Sequence, residues 1–439
     1  MSKGAKLFSG LLVLTLVLGA AVSLTAQRAV EEWNALQDIN RTQDPKARLQ
    51  VIDTFLKTYP ESKYRAYVYP NMLQTAYQVQ DYATAMRAVD AWVAMDRPEI
   101  LNVYKQANPA LEDSALDATY YQFYLLYTLS FLQSFRENGP QADQIATKAG
   151  ERATKALEMH DRLWAAAKPP QGVTPEQFEQ MKRQEETSLH TALAFVAFRS
   201  KDFNKAAREY AWLVQRAPED ARLNYQLARS LLQQAPADYP GGFWYLSRAI
   251  NLKIAKSEEV KDYLTKSVAA YQQVPPECLN DQVGDLIVES AAAVTPPAGW
   301  KRASATDVKA VQDQMTVKRI FDDLKAGGDS AHMMYLASCG TVIGLSEEGQ
   351  PELAVLVLEV TQQPDNLVTL RAAAGQEAVD AKVANVEVKV EGPPEAKNLK
   401  VDDVVRVAGK ISGFQSEPQF LLKLSEGKVN AEDIPKSRR

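Results

Sequence analysis

From Ala29 to Gln273 apolar residues recur three and four positions apart, and no segment alternates convincingly with period two. A run of that length and period excludes a sheet and predicts an array of antiparallel helices. Start signals recur beside the pattern. Asp44-Pro45 and Thr174-Pro175-Glu176-Gln177 each set a capping side chain before a proline at the first helical position, and Gln177 completes a capping box in the second. Breaks fall at Pro60, Pro98, Gly139-Pro140, Pro169-Pro170, Pro218 and Pro236, which leaves helical segments of about 12 to 25 residues.

The period changes after Cys339. Five short runs follow: Leu353 to Val360, Leu367 to Arg371, Val386 to Val390, Val404 to Ile411 and Phe420 to Leu424. They are bounded by Gln-Pro-Asp, Gly-Pro-Pro, Ser-Gly and Glu-Gly turns. Val386-Glu387-Val388-Lys389-Val390 alternates strictly, as a strand with one wet face does. Five such strands predict a small closed barrel or sandwich. Between the two regions, residues 293–303 read as a linker because Pro296-Pro297 ends the preceding helix. A last helical stretch, Thr306 to Lys325, leads to Gly327-Gly328. With 439 residues, 46% of them hydrophobic, the chain has material for two or three domains with cores of their own.

The helical part repeats. In Leu189 to Pro218, Leu193 and Ala194 lie on one helix, Lys201-Asp202-Phe203 makes the turn, and Ala206, Tyr210, Leu213 and Pro218 follow. The small residue lets two helices approach, the large ones fill the gap, and the proline ends the second helix. Leu227, Ala228 and Leu231, then Gly242, Leu246, Ala249 and Ile250, keep the register, and Ala206 to Gly242 is 36 residues. Upstream, Gln80-Asp81-Tyr82 with Ala85, Val89 and Trp92 repeats the turn and second helix. These offsets resemble the tetratricopeptide repeat, and Phe55-Leu56-Lys57-Thr58-Tyr59-Pro60-Glu61-Ser62-Lys63-Tyr64 resembles a helix-end motif of its exported bacterial members. The resemblance covers residues 44–98 and 187–252 and fades over 99–173. It implies a superhelix of stacked helix pairs whose groove binds peptides or helices of partner proteins, with no catalytic residues. The order of the five strands, with Val-Arg-Val-Ala-Gly-Lys-Ile-Ser-Gly-Phe before the last, is similar to an OB-fold barrel.

The first residues read as a leader. Lys3 and Lys6 precede the apolar run Leu7 to Leu18, and small residues lead to a cleavage point after Ala26. The alternative is an uncleaved anchor, since about 20 apolar residues can span a bilayer. Both place the body outside the cytoplasm: periplasmic or secreted in the first case, inner-membrane anchored and facing the periplasm in the second. A disulfide is permitted there, and two cysteines allow one pairing, Cys278 to Cys339, against two free or buried thiols. The expected order is a leader or anchor (1–26), a tetratricopeptide-like helical repeat domain (29–275), a helical linker region (276–340), an OB-like β-barrel (341–430) and a polar tail (431–439).

Charge and motif arithmetic then narrows the function. A net charge of −5 opposes nucleic-acid binding, which needs a basic footprint to displace counterions. In the barrel region, residues 341–439, 12 Lys and Arg stand against 16 Asp and Glu, with Phe414 and Phe420 as the aromatics, so a base-stacking platform is missing. Gly241-Gly242 and Gly327-Gly328 lack the context of a phosphate loop. His332 and Cys339 match no metal spacing, and His160 and His190 lie far from them in sequence. No Gly-x-Ser-x-Gly elbow or Cys-x-x-Cys-His site occurs, so no catalytic, cofactor or metal residue is assigned. Carboxylate-only chemistry needs none of these motifs; its place would be a carboxylate pair at the repeat–barrel junction.

The local composition that stands out is Tyr120, Tyr121, Phe123, Tyr124, Tyr127, Phe131 and Phe135. Their spacing fits a helix core. Tyr121 falls off that stripe, and tyrosines in a repeat groove bury area at little entropic cost, so Tyr121, Tyr124 and Tyr127 are the candidate partner contacts. The expected function is therefore a non-catalytic, exported scaffold that binds protein or peptide partners in the cell envelope through the repeat groove. The alternative is a binder of envelope polymer, peptidoglycan or another glycan, in which the barrel recognises the polymer and the repeats act as spacer.

Overall fold

The computed structural model describes residues 24–344, 352–363 and 367–438. Of the expected leader or anchor (1–26), residues 1–23 lie outside the described residues, and the first described helix, α1 (Leu24–Arg41), takes in its last three. It is followed by α2 (Pro45–Thr58), α3 (Arg65–Gln78), α4 (Tyr82–Val93), α5 (Arg97–Ala107), α6 (Ala115–Ser134), α7 (Ala142–Ala166), α8 (Pro175–Arg199) and α9 (Phe203–Arg216). The predicted caps form: the Asp44 carboxylate accepts from the Ala47 amide at 2.7 Å, and Thr174 and Gln177 make a reciprocal capping box.

The pairing order is that of stacked hairpins. Helix α3 packs on α4, α4 on α6, α6 on α7, α7 on α8 and α8 on α9, while α6 also touches α8 directly. Each second helix thus sits between successive first helices. The repeated turn has a physical basis. Gln80 and Lys201 both take a left-handed conformation (φ 62° and 61°), and the next amide bonds back to the preceding helix: Asp81 to the Ala76 carbonyl, Asp202 to the Ala197 carbonyl. Asp81 and Asp202 then cap the following helix through the amides of Thr84 and Lys205. One three-residue signal both ends one helix and starts the next.

Pro70 sits inside α3, where its missing N–H leaves the Ala66 carbonyl without its helical donor. Two side chains replace it: Trp92 Nε1 and Tyr104 Oη each donate to Ala66 O at 3.1 Å. Helix α5, which is extra to the hairpin pattern, is fixed to α3 this way and by Tyr67 Oη donating to the Val103 carbonyl at 2.9 Å.

The chain forms two compact units, one of the residues up to Pro218 with Gln233–Pro236, the other of Glu219–Leu232 and Ala237–Arg439. The helices after Pro218 therefore group with the barrel. They are α10 (Ala221–Gln233), α11 (Tyr239–Asn251), α12 (Ser257–Gln272), α13 (Asn280–Ser290), α14 (Ala305–Gln312), α15 (Val317–Ala326) and α16 (Gly328–Ser338). Gly242 on α11 has the packing role its place in the repeat implied, since a Cβ there would lie 2.5 Å from Leu232. The single helix expected over 306–325 is two, because Thr316 turns away and caps α15 through the Arg319 amide. Helices α11 to α13 share a core of Phe243, Leu246, Leu264, Val268 and Leu286 with Leu279 of the 3-10 turn before α13, to which Val308 and Leu336 add α14 and α16.

Among the described residues six strands follow: β1 (Val342–Ile343), β2 (Leu353–Gln362), β3 (Val368–Ala374), β4 (Val386–Gly392), β5 (Val404–Gln415) and β6 (Leu421–Val429), with a short helix α17 (Gln376–Ala381) between β3 and β4. Strands β2, β3 and β4 pair antiparallel in order, β4 pairs parallel with β6, β6 antiparallel with β5, and β5 antiparallel with β2. That ring is a closed five-stranded barrel, consistent with an OB-like barrel. The two-residue β1 continues the line of β2 along β5 and escaped the sequence reading because it is too short to alternate. In β4, Val386, Val388 and Val390 point inward, while outside Glu387 pairs with Arg371 at 3.2 Å. The core also takes Ile320, Leu324 and Met334 from α15 and α16. Residues 431–438, expected as a polar tail, pack on the barrel: Ile434 is buried and Arg438 grips the Asp403 carboxylate at 2.6 and 2.8 Å.

Candidate functional site

The sequence placed the partner contacts at Tyr121, Tyr124 and Tyr127, and the structure corrects this. They are 6%, 7% and 1% exposed. At 100° per residue, Tyr120, Tyr124 and Tyr127 turn toward α4 and α7, and the off-stripe Tyr121 turns toward α8, which covers it. Helix α6 is apolar on most of its circumference because neighbours enclose it on three sides. Trp92 stacks on Phe123 with centroids 4.2 Å apart, and Arg152 and Lys155 lie over Tyr124.

Tyr121 belongs instead to a polar cluster joining α6, α7 and α8. Its hydroxyl donates to Glu185 Oε2 at 2.6 Å, and Trp164 Nε1 donates to the same oxygen at 3.1 Å. Burial raises the Glu185 pKa, against the lowering effect of those two donors and of nearby His160, and burial likewise raises the Tyr121 phenol. His160 is enclosed, with Nε2 3.3 Å from the Lys182 carbonyl and Nδ1 3.2 Å from Asp161. His190 bonds Glu209 at 2.6 Å and stacks on one face of Trp212 while Arg216 covers the other. Both arrangements are interhelical fastenings, with every polar atom named here engaged.

What the first helices leave open is a different surface. On α6 the positions turned away from α4, α7 and α8 are Gln122, Leu126, Leu129 and Gln133, spaced four, three and four apart; the glutamines are exposed and the leucines half-buried. The matching stripe of α8 is Gln180, Gln184, Thr187 and Thr191. On α3 it is Asn71, Gln74 and Gln78. None of these residues carries a charge. Several charges of the hairpins are paired away from these stripes: Arg97 with Asp113 and Asp117, Arg162 with Asp117, Lys148 and Arg152 with Asp90. Arg183 borders the α8 stripe and is exposed. The six glutamine carboxamides make no side-chain hydrogen bond to any described residue, while Thr187 and Thr191 donate to the Arg183 and Thr187 carbonyls and keep their oxygen lone pairs open. Sequence reasoning passed over this surface by following the aromatics. The available signal was charge: α3 holds only Arg65 and α6 only Asp117 as charged residues.

Cys278, in a short 3-10 turn at Pro276–Leu279, and Cys339, after α16, are joined by a disulfide with Cα atoms 6.0 Å apart; both are buried. His332 is a packed residue whose pKa burial lowers. Among the described residues no three His, Cys, Asp or Glu gather as metal ligands would, and no helix is long and apolar enough to cross a membrane. Two shallow cavities lie on the barrel. One, of about 650 Å³, is floored by Ala408, Gly409 and Val429 and edged by Lys410, Glu426 and Lys428. The other, of about 500 Å³, carries Lys397, Lys400 and Arg438.

No family model matches the chain, and no curated protein matches it. Among solved structures it is similar to the TPR2AB-domain:pHSP90 complex of yeast Sti1, at 13% identity and a TM-score of 0.15, over 60% of this chain and 99% of that one. At that score the likeness carries no argument about fold or partner. The helical hairpins, their turns and their stacking order show on their own a tetratricopeptide-like helical repeat.

Proposed function

We propose that the chain is an exported helical-repeat scaffold that holds protein partners of the cell envelope along the open face of its first helices and catalyses no reaction of its own. The observation that carries this is the side-by-side placement of α6 and α8, each presenting unpaired hydrogen-bonding side chains on its uncovered side. Stacked hairpins generate such continuous surfaces, and hydrogen-bonding groups left unpaired there are available to a second chain. Export is supported by the leader pattern and by the buried disulfide, a bond that persists in oxidising compartments. Cleavage of the leader gives a periplasmic or secreted protein; retention gives an inner-membrane anchor.

The test is in vivo crosslinking of the tagged full-length protein, followed by mass spectrometry of what co-purifies from the envelope fraction. An envelope protein recovered with the wild type and lost with Leu126→Arg/Leu129→Arg is the expected result. Recovery of the same proteins with both forms would sink the repeat-face reading.

A second reading rests on the barrel, where Lys397 and Lys400 beside the smaller cavity suit an anionic envelope polymer. It predicts that the full-length protein sediments with cell-wall material and that Lys397→Glu/Lys400→Glu releases it, with partner crosslinking unchanged.

A further inference from the structure

The larger cavity of the barrel, about 650 Å³, opens beside β6 and falls within the size range of small-molecule sites. Two strand irregularities shape it. Val390 and Gly392 of β4 pair with the consecutive residues Gly427 and Lys428 of β6, which leaves Glu391 between them as an extra residue without a ladder partner. Ala408 and Lys410 of β5 pair with Lys428 and Ser425, so here β6 carries the extra residue, and Glu426 takes a left-handed conformation (φ 53°). Extra residues of this kind bend a strand and re-aim its side chains. They bring Glu391, Lys428, Lys410 and Glu426 to one cavity.

The four charges are not equivalent. Lys410 lies 3.6 Å from Glu426 and 3.9 Å from Glu277, so that side of the rim is already neutralised. Glu391 and Lys428 are both exposed, and neither makes a side-chain hydrogen bond or ion pair with any described residue. They stand on neighbouring strands about 4.8 Å apart, where Gly392, next to Glu391, is the ladder partner of Lys428. A direct contact between two such surface charges is worth less than about 1 kcal/mol, so it does not exclude a ligand that engages both. Beside them Ala408 and Val429 form an apolar floor, and Val342, 45% exposed, is an uncovered apolar wall.

The complement of one free carboxylate, one free ammonium and an apolar floor is a molecule that carries both opposite charges on one carbon beside a short apolar group. We propose that this cavity binds a free α-amino acid with an aliphatic side chain, its carboxylate on Lys428 and its ammonium on Glu391. A peptide brings only one of the two charges at each of its ends and meets half of the site. The inference is independent of the scaffold reading, which concerns the helical repeats.

The test is isothermal titration calorimetry of the full-length protein with L-alanine, L-valine and L-leucine, then with the amide and the N-acetyl derivative of whichever binds most tightly. The expected result is saturable binding at one site per chain, weakened about tenfold by either derivative, since each removes one charge-assisted contact. Lys428→Gln should weaken the amino acid about tenfold and close its gap to the amide while the gap to the N-acetyl form stays; Glu391→Gln should do the reverse. Both positions are exposed, so the melting temperature of each variant should match the wild type. Weakening by only one derivative would reduce the ligand to a peptide terminus and overturn the free-amino-acid assignment. Saturation by none of the three amino acids up to about 10 mM, equal binding of the amino acid and both derivatives, or gaps that persist in both variants would overturn the site.

Discussion

Replacing Cys278 and Cys339 with alanine tests how the second unit is held together. The bond closes a loop of 61 residues that contains α13 to α16, and it ties the helical core around Leu279 to the segment that enters β1. On the chain-entropy relation, opening a loop of that length costs about 4 kcal/mol, and removing two buried sulfur atoms adds about 1 kcal/mol. With a guanidinium slope of about 4 to 5 kcal/mol per molar, the midpoint for this unit falls by about 1 M. Because two units unfold, a single whole-chain transition is not assumed; hydrogen exchange of peptides from residues 353–429 at stepped guanidinium concentrations isolates the unit in question. Dithiothreitol should move the wild type most of the way to the variant and leave the variant unmoved. A midpoint shift below about 0.2 M would mean that the packing of α14 to α16 between helices and barrel already restrains this segment, and that the loop-entropy argument does not apply.

Two further outcomes follow from the first unit. Glu185 has a raised pKa in the fold, so the native state holds a proton that the unfolded chain has lost, and stability declines as pH rises from about 4.5 through the raised value. Glu185→Gln keeps an acceptor for Tyr121 and Trp164, and its melting temperature should stay flat across that window where the wild type declines; parallel curves would assign the pH dependence to another group. At Ala66, Trp92→Phe and Tyr104→Phe each leave one donor to the carbonyl exposed by Pro70, and the double variant leaves none. The double variant should lose about 1 to 3 kcal/mol more than the two singles together in denaturant titrations, and simple additivity would show that the two donors are not substitutes.

The helices, their caps and the five barrel strands were legible because each is written locally. Asp81 and Asp202 announce a turn within three residues, and Val386 to Val390 shows its two faces in five. Register over 99–173 was not legible: α6 is enclosed on three sides, so its apolar residues mark no single face, and α5 interrupts the hairpin period. The same enclosure misdirected the site assignment. A tyrosine off the main stripe signals exposure only when two neighbours flank a helix, and α6 has three. What marked the open side was the placement of uncharged polar residues, a signal that appears only once the covered sides are known. The barrel's closure, too, needed the pairing of β4 with β6, which are 28 residues apart and leave no mark on each other's sequence.

That parallel pairing has a consequence for how the barrel comes into being. Strand β6 supplies the partner for one edge of β4 and one edge of β5, and it follows both in sequence. As the polypeptide emerges, β2 to β5 exist for a time as an open sheet with two bare edges, about the arrangement that invites another strand to add itself. Completion of the ring is thus postponed until Leu421 to Val429 arrives, and anything that detains that segment, such as a stalled ribosome, prolongs the interval in which the half-built sheet can pair with the wrong neighbour.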